Sequence, residues 1–315
     1  MRNEPLKIGN IALRSRALFA PMAGYSDLGA RYLARLYGAG LTFSEMVSAK
    51  GLIFENKETQ KLLEKAENET PFAAQLFGAD PDCFYRAVKL LPETIDIVDI
   101  NMGCPAPKIV KNGEGSALLK DPVLAGEIVA AAVSASNRPV TVKMRLGFDM
   151  GDFTADKVAR AVQAAGASAI TVHGRYREQM YSGNVDHEMI RRVREQTDVT
   201  FIANGDVRST KDYQTMLDKT KADGVMIGRG ALGNYRIFAE ILGKTVQRTE
   251  RENILVQIDY LKREYPERIV VNLMKHHVSA YASGRAGVAK EIRDKVHHAV
   301  TYADLMAVVD EYFQK

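Results

Sequence analysis

Eight short, continuously apolar runs recur between residues 17 and 228, and nearly all are separated from the next by an amphipathic stretch. They read ALFAPM (17–22), LTFSEM (41–46), PFAAQLF (71–77), IVDINMG (97–103), VTVKMR (140–145), AITVHG (169–174), VTFIANG (199–205) and GVMIG (224–228). Runs this short and this uniformly apolar fit strands buried on both faces, as in a parallel sheet. The intervals carry helix signals. Asp80-Pro81 and Asp121-Pro122 place a capping carboxylate before a proline at the first helical position, and Thr154 and Ser209 read as further N-caps. Eight strands alternating with helices predict a (β/α)8 barrel, the competing topology being an open doubly wound sheet. After about residue 240 the strand-like runs stop. Ile254, Ile258 and Leu261 make one helical stripe, Val270, Met274, His277 and Tyr281 a second, and Leu305, Val308 and Tyr312 a third. The predicted organisation is an α/β barrel over 1–240 followed by a small all-helical domain over 241–315.

Composition narrows the function classes. At 46% hydrophobic and 26% charged residues, the chain has neither the charge excess nor the apolar poverty of a disordered protein. A net charge of +4 permits a polyanionic partner without demonstrating one. The helical segment carries 12 Lys and Arg against 10 Asp and Glu, so it is barely basic. Two cysteines, Cys83 and Cys104, are no disulfide framework and point to a reducing compartment. No apolar leader and no run of about 18 apolar residues is visible, so the expectation is a soluble, cytoplasmic protein.

In a barrel of this kind, function comes from the C-terminal ends of the strands and the loops beyond them. Those positions hold Met22-Ala23-Gly24, Gln75, Asn101, Cys104, Lys143, Arg145, His173, Arg175, Asn204-Gly205-Asp206 and Gly228-Arg229. Polar residues ending otherwise apolar runs on most of the strands are not what a scaffold alone requires. Glycines in the last two loops allow backbone amides to approach an anion, with Arg229 adding a charged contact. Gly228, Gly230 and Gly233 also spell G-x-G-x-x-G, but at the last strand of a series, where a dinucleotide fingerprint is not expected. Cys104 lies on a mouth loop and is open to roles as nucleophile, metal ligand or proton donor; no second Cys or nearby His offers metal spacing, so no metal is expected. Lys143 could form a Schiff base or hold a ligand's negative charge. His173 is open between ligand contact and core packing, and Cys83 reads as a small packed hydrophobe.

Taken together, Ala20-Pro21-Met22-Ala23-Gly24, Asn101-Met102-Gly103-Cys104-Pro105, Lys143-Met144-Arg145, His173-Gly174-Arg175, Asn204-Gly205-Asp206 and Gly228-Arg229-Gly230 resemble the tRNA dihydrouridine synthase family in order and spacing. The segment LMKHHVSAYASG is similar to the bacterial B-type subgroup. The resemblance implies a barrel holding FMN, NADPH as reductant, and a helical C-terminus that helps grip tRNA for reduction of a D-loop uridine. It implies that Pro21, Met22, Ala23 and Gln75 line the flavin and that Lys143 approaches its ring. His173, Asn204, Gly205, Asp206, Gly228 and Arg229 would take the ribityl and phosphate parts. Asn101 would hold the uracil, with Arg145 and Arg175 beside it, and Cys104 would deliver a proton to C5 after hydride reaches C6. That role suits a thiol, protonated at neutral pH with an ordinary pKa of about 8.5. A base stacked in RNA must first be turned out, at a cost of a few kcal/mol.

Two departures from the family pattern are Tyr25-Ser26-Asp27 in place of Val-Thr-Asp and Tyr176 in HGRYREQ; the second bears on target preference. The chain has no tryptophan, so base stacking would fall to Tyr, Phe or Arg. Three alternatives stand beside this reading: a dihydroorotate dehydrogenase-like flavoprotein acting on a free pyrimidine, a Schiff-base aldolase using Lys143, and a non-catalytic RNA-binding barrel. Against the first, Ala106 follows Pro105 where that family has asparagine; against the last stand Cys104, Lys143 and His173. Nothing in the sequence demands more than a monomer.

Overall fold

The computed structural model describes residues 4–314. All eight predicted runs are strands. After a short antiparallel hairpin, β1 (Leu6–Ile8) and β2 (Ile11–Leu13), come β3 (Ala17–Phe19), β4 (Thr42–Ser48), β5 (Phe72–Phe77), β6 (Ile97–Met102), β7 (Val140–Arg145), β8 (Ala169–His173), β9 (Thr200–Asn204) and β10 (Gly224–Ile227). Consecutive strands from β4 to β10 pair in parallel, and β10 pairs with β3. The ring closes because Phe19 N–H donates to Leu41 O (2.9 Å) and Gly40 N–H to Ala17 O (2.8 Å). The structure is therefore the barrel that the apolar runs predicted, with its strand C-termini opening on one mouth.

Local chemistry explains the helices around it. Asp80, Asp121 and Ser209 accept from backbone N–H groups at the helix starts they precede. Thr154 does not: its hydroxyl is buried without a partner and its backbone is already helical, so the expected cap is absent there. The opposite end of the barrel is closed by the β1–β2 hairpin, whose Leu6, Ile8 and Leu13 pack with Leu18, Ile202 and Met226. Three-residue strands are too short for a period to show, which is why the hairpin escaped the sequence reading.

The last barrel helix is Ile237–Ile241, and the C-terminal region consists of helices Glu250–Glu264, Glu267–Ala282, Ala289–His298 and Tyr302–Tyr312. It docks against the first barrel helix, Leu28–Leu36. Tyr32 stacks on Tyr260 with ring centroids 4.2 Å apart, and Tyr37 donates to Asn253 Oδ1 at 2.6 Å. His277 is fully buried against Asp27, Nε2 to Oδ2 at 2.5 Å. No helix among the described residues is long and apolar enough to cross a membrane.

Candidate active site

The inward-pointing positions of three neighbouring strands carry a continuous polar strip. Pairing sets Gln75 beside Asp99, Asp99 beside Thr141, and Asn101 beside Lys143. Alternation then places Asp99 and Asn101 on one face of β6 and Thr141 and Lys143 on one face of β7. Thr141 Oγ1 donates to Asp99 Oδ1 (2.6 Å), and Gln75 Nε2 donates to Asp99 Oδ2 (2.7 Å). Gln75 Oε1 accepts from Asn101 Nδ2 (2.8 Å), and Asn101 Oδ1 accepts from the backbone N–H groups of Gly103 (3.1 Å) and Cys104 (2.9 Å). Sequence reasoning missed Asp99 and Thr141. The available signal was the two-residue alternation Asp99/Asn101 and Thr141/Lys143 inside otherwise apolar strands.

Lys143 and Cys104 face the same space. The Lys143 ammonium has no hydrogen-bond or ion-pair partner among the described residues. Burial, and after it the Arg145 charge, push its pKa down to about 8, with Asp99 and Cys104 acting in the opposite direction. Burial lifts Asp99 to about 6 despite its two hydrogen bonds and the Lys143 charge. Cys104 is half-buried and its carbonyl accepts from Ser116 N–H at 3.0 Å, folding the loop back on itself.

The two arginines expected beside the substrate each hold protein groups, and Arg145 Nη2 has no hydrogen-bond partner among the described residues. Arg145 donates to the carbonyls of Gly103 (2.8 Å), Tyr176 (3.1 Å) and Met180 (2.7 Å). Arg175 donates to Ser182 O (3.0 Å), Gly183 O (2.7 Å) and Asp206 Oδ2 (2.5 Å). Together they pull the 176–183 loop over the mouth, where the exposed Tyr181 ring lies 5.5 Å from the Arg145 guanidinium and 5.0 Å from that of Arg229. Arg175→Met is expected to destabilise the protein by about 3 kcal/mol, since removing one partner of a buried charged network strands the others; denaturant unfolding measures it. Asn101 is similarly occupied, holding the Cys104 loop with its oxygen and Gln75 with its nitrogen.

On the other side of the mouth, burial and then the charges of Lys143, Arg145, Arg175 and Arg229 hold His173 well below the usual imidazole range, so it is neutral. Its Nε2 stands 3.3 Å from Arg175 Nη1. Arginine only donates, so Nε2 accepts and the proton resides on Nδ1, a donor left for a ligand. Asn204 Nδ2 donates to Met226 O (2.8 Å), tying β9 to β10. Asp206 is held by Arg175 and, at 3.3 Å, by Arg229. The backbone N–H groups of Gly205, Asp206, Arg229 and Gly230 have no protein acceptor among the described residues. At the first strand, Pro21, Met22 and Ala23 form a tight turn in which Met22 O accepts from Tyr25 and Ser26 N–H; Glu45, unremarked in the sequence, steadies it by accepting from Gly24 N–H at 2.6 Å.

The glycine pattern of the last loop now has a packing explanation. A Cβ on Gly230 would lie 1.8 Å from Val207 O, and one on Gly233, where φ is +71°, 2.8 Å from the Tyr281 backbone. One glycine lets the last two loops touch; the other seats the helical region on the barrel. Gly230→Ala is expected to cost more than about 2 kcal/mol, because the atoms it would meet, on Val207 and Arg208, are all backbone; thermal unfolding against Gly284→Ala, where a Cβ meets nothing within 4 Å and φ is not positive, is the comparison. An open recess of about 580 Å³ lined by Asp186, His187, Arg191, Asp218 and Lys219 lies outside the mouth and gathers none of the strand-end residues.

Comparison with known proteins agrees with this geometry. A family model described as "Dihydrouridine synthase (Dus)" matches residues 18–315. A "Probable tRNA-dihydrouridine synthase" of Rickettsia conorii (strain ATCC VR-613 / Malish 7) is 39% identical over 290 residues, covering 89% of this chain and 88% of that protein. A "tRNA-dihydrouridine synthase B" of Pasteurella multocida (strain Pm70) is 35% identical over 289 residues, covering 89% and 87%. Among solved structures, morphinone reductase superposes with a TM-score of 0.58 at 14% identity over 78% of this chain and 90% of that one, a likeness of fold. The chain belongs to the dihydrouridine synthase family.

Proposed function

We propose that this protein reduces uridine to 5,6-dihydrouridine in tRNA, using FMN held in the barrel mouth and NADPH as reductant. The observation that carries the reading is the unpartnered Lys143 ammonium facing the same space as the Cys104 loop. The mouth also suits the cofactor: Lys143 offers a cation to the ring, and four free backbone N–H groups, His173 Nδ1–H and the glycine loops offer donors to a phosphate. Pro21, Met22, Ala23 and Gln75 would border the ring, and Asn204, Gly205, Asp206, Gly228 and Arg229 the phosphate end. FMN held there would supply hydride chemistry toward C6 of the uracil. Cys104 would give its thiol proton to C5. Lys143 would offset negative charge on the ring, and Asn101 holds the thiol loop in place. Arg145 and Arg175 act by shaping the 176–183 loop against which the uracil would rest.

The helices from Glu250 onward would hold the tRNA while the D-loop uridine is turned into the mouth. A monomer in the cytoplasm fits this reading, since one chain carries every residue of the site. The test is NADPH oxidation by the flavin-loaded protein with unmodified tRNA or with orotate as acceptor. Turnover only with tRNA supports the proposal; turnover only with orotate points to the free-pyrimidine alternative.

A further inference from the structure

We propose that Asp99, deep in the barrel, is a positioning residue that fixes the amide sense of Gln75 and Asn101 and thereby the placement of the Cys104 loop. An ionised carboxylate only accepts. Facing Asp99 Oδ2 at 2.7 Å, the Gln75 amide must present its nitrogen, which leaves Oε1 toward Asn101. Asn101 must then present Nδ2 to that oxygen at 2.8 Å, which leaves Oδ1 as the acceptor for two successive backbone N–H groups, those of Gly103 and Cys104. Reversing Asn101 would set N–H against N–H at the loop; reversing Gln75 would set its oxygen against the Asp99 carboxylate and its N–H against that of Asn101. Thr141, donating to the other carboxylate oxygen at 2.6 Å, holds Asp99 in the rotamer that starts the chain. The direction of every link therefore follows from one buried acid at the base of the series. Gln75, Asp99 and Asn101 are all buried, so water does not substitute for a lost link.

The catalytic consequence rests on the reading of Cys104 as proton donor, so the test reads the loop and not turnover. The two free cysteines provide an internal reference: Cys104 reports the loop, and Cys83, on the helix Pro81–Lys89 outside the barrel, reports everything else. Iodoacetamide labelling of each cysteine is followed by peptide mass spectrometry in wild type, Asp99→Leu, Asp99→Asn and Gln75→Leu. Asp99→Leu removes the acceptor, and Gln75→Leu cuts the chain one link later. Each is expected to raise the Cys104-to-Cys83 labelling ratio about tenfold, the equivalent of a hydrogen-bond link worth about 1.4 kcal/mol. Asp99→Asn is expected to restore the ratio to near wild type. Its carboxamide oxygen accepts from Gln75 while its nitrogen donates to Thr141, whose hydroxyl accepts as well as donates. A wild-type ratio in either leucine variant, or a ratio in Asp99→Asn as high as in Asp99→Leu, overturns the proposal. Should Asp99→Leu fail to fold, Gln75→Leu decides alone. Absence of tRNA reduction would leave this result intact, so the two readings fail separately.

Discussion

Cys104→Ala is expected to lower dihydrouridine formation by about 10²–10⁴-fold, the span typical of losing a general acid, while flavin content and flavin reduction by NADPH stay as in wild type. The separation follows from how the loop is held. Its anchors are backbone groups: the Cys104 N–H on Asn101 Oδ1 and the Cys104 carbonyl on Ser116. Among the described residues no hydrogen bond involves the thiol, so alanine removes the proton and leaves the loop. Rapid-mixing measurement of the two half-reactions checks this: the reductive half is expected to be unchanged and the oxidative half, with tRNA, slowed. Equal slowing of both halves would mean that Cys104 supports the flavin and not the base.

Lys143→Met is expected to move activity and stability in opposite directions. Loss of a preorganised charge at the reacting centre costs about 10²–10³-fold in turnover. Stability rises, because a lysine whose pKa falls from 10.5 to about 8 pays about 3 kcal/mol to be buried charged. The sign with pH follows. Below pH 8 the folded and unfolded lysines are both protonated and the whole cost is present. Between about 8 and 10.5 the unfolded chain binds more protons, so the wild type gains stability as pH rises and the methionine variant does not. Denaturant unfolding of the cofactor-free proteins at pH 7 and pH 10 measures the difference, which is expected to shrink at the higher pH. A functional residue that destabilises its own fold is a familiar trade at active sites.

The barrel was legible because period and length carry it: eight buried strands of a parallel sheet leave eight uniform apolar runs, and each appears where the run was. The strand-end residues were legible for the same reason, as polar breaks in those runs. Three things were not. Asp99 and Thr141 sit inside runs that read as core, where a lone polar residue has no visible partner until register pairs β5 with β6 and β6 with β7. The arginines could be placed at the mouth but not assigned a partner. That Arg145 and Arg175 hold main-chain carbonyls depends on the path of the 176–183 loop, which no local pattern specifies. The glycines of the last loop could be read as an anion cradle, but the demands of Val207 on Gly230 and of Tyr281 on Gly233 come from segments about 20 and 50 residues away. Contacts between loops are long-range, and sequence periodicity speaks only for the elements that loops connect.

Nucleoside mass spectrometry of unmodified tRNA, after incubation with the flavin-loaded protein and NADPH, reads the proposed reaction itself. Dihydrouridine is expected to appear with time from uridine, and little of it with Cys104→Ala. Protein that holds flavin and oxidises NADPH yet leaves every uridine in several tRNAs unchanged would contradict the proposed function.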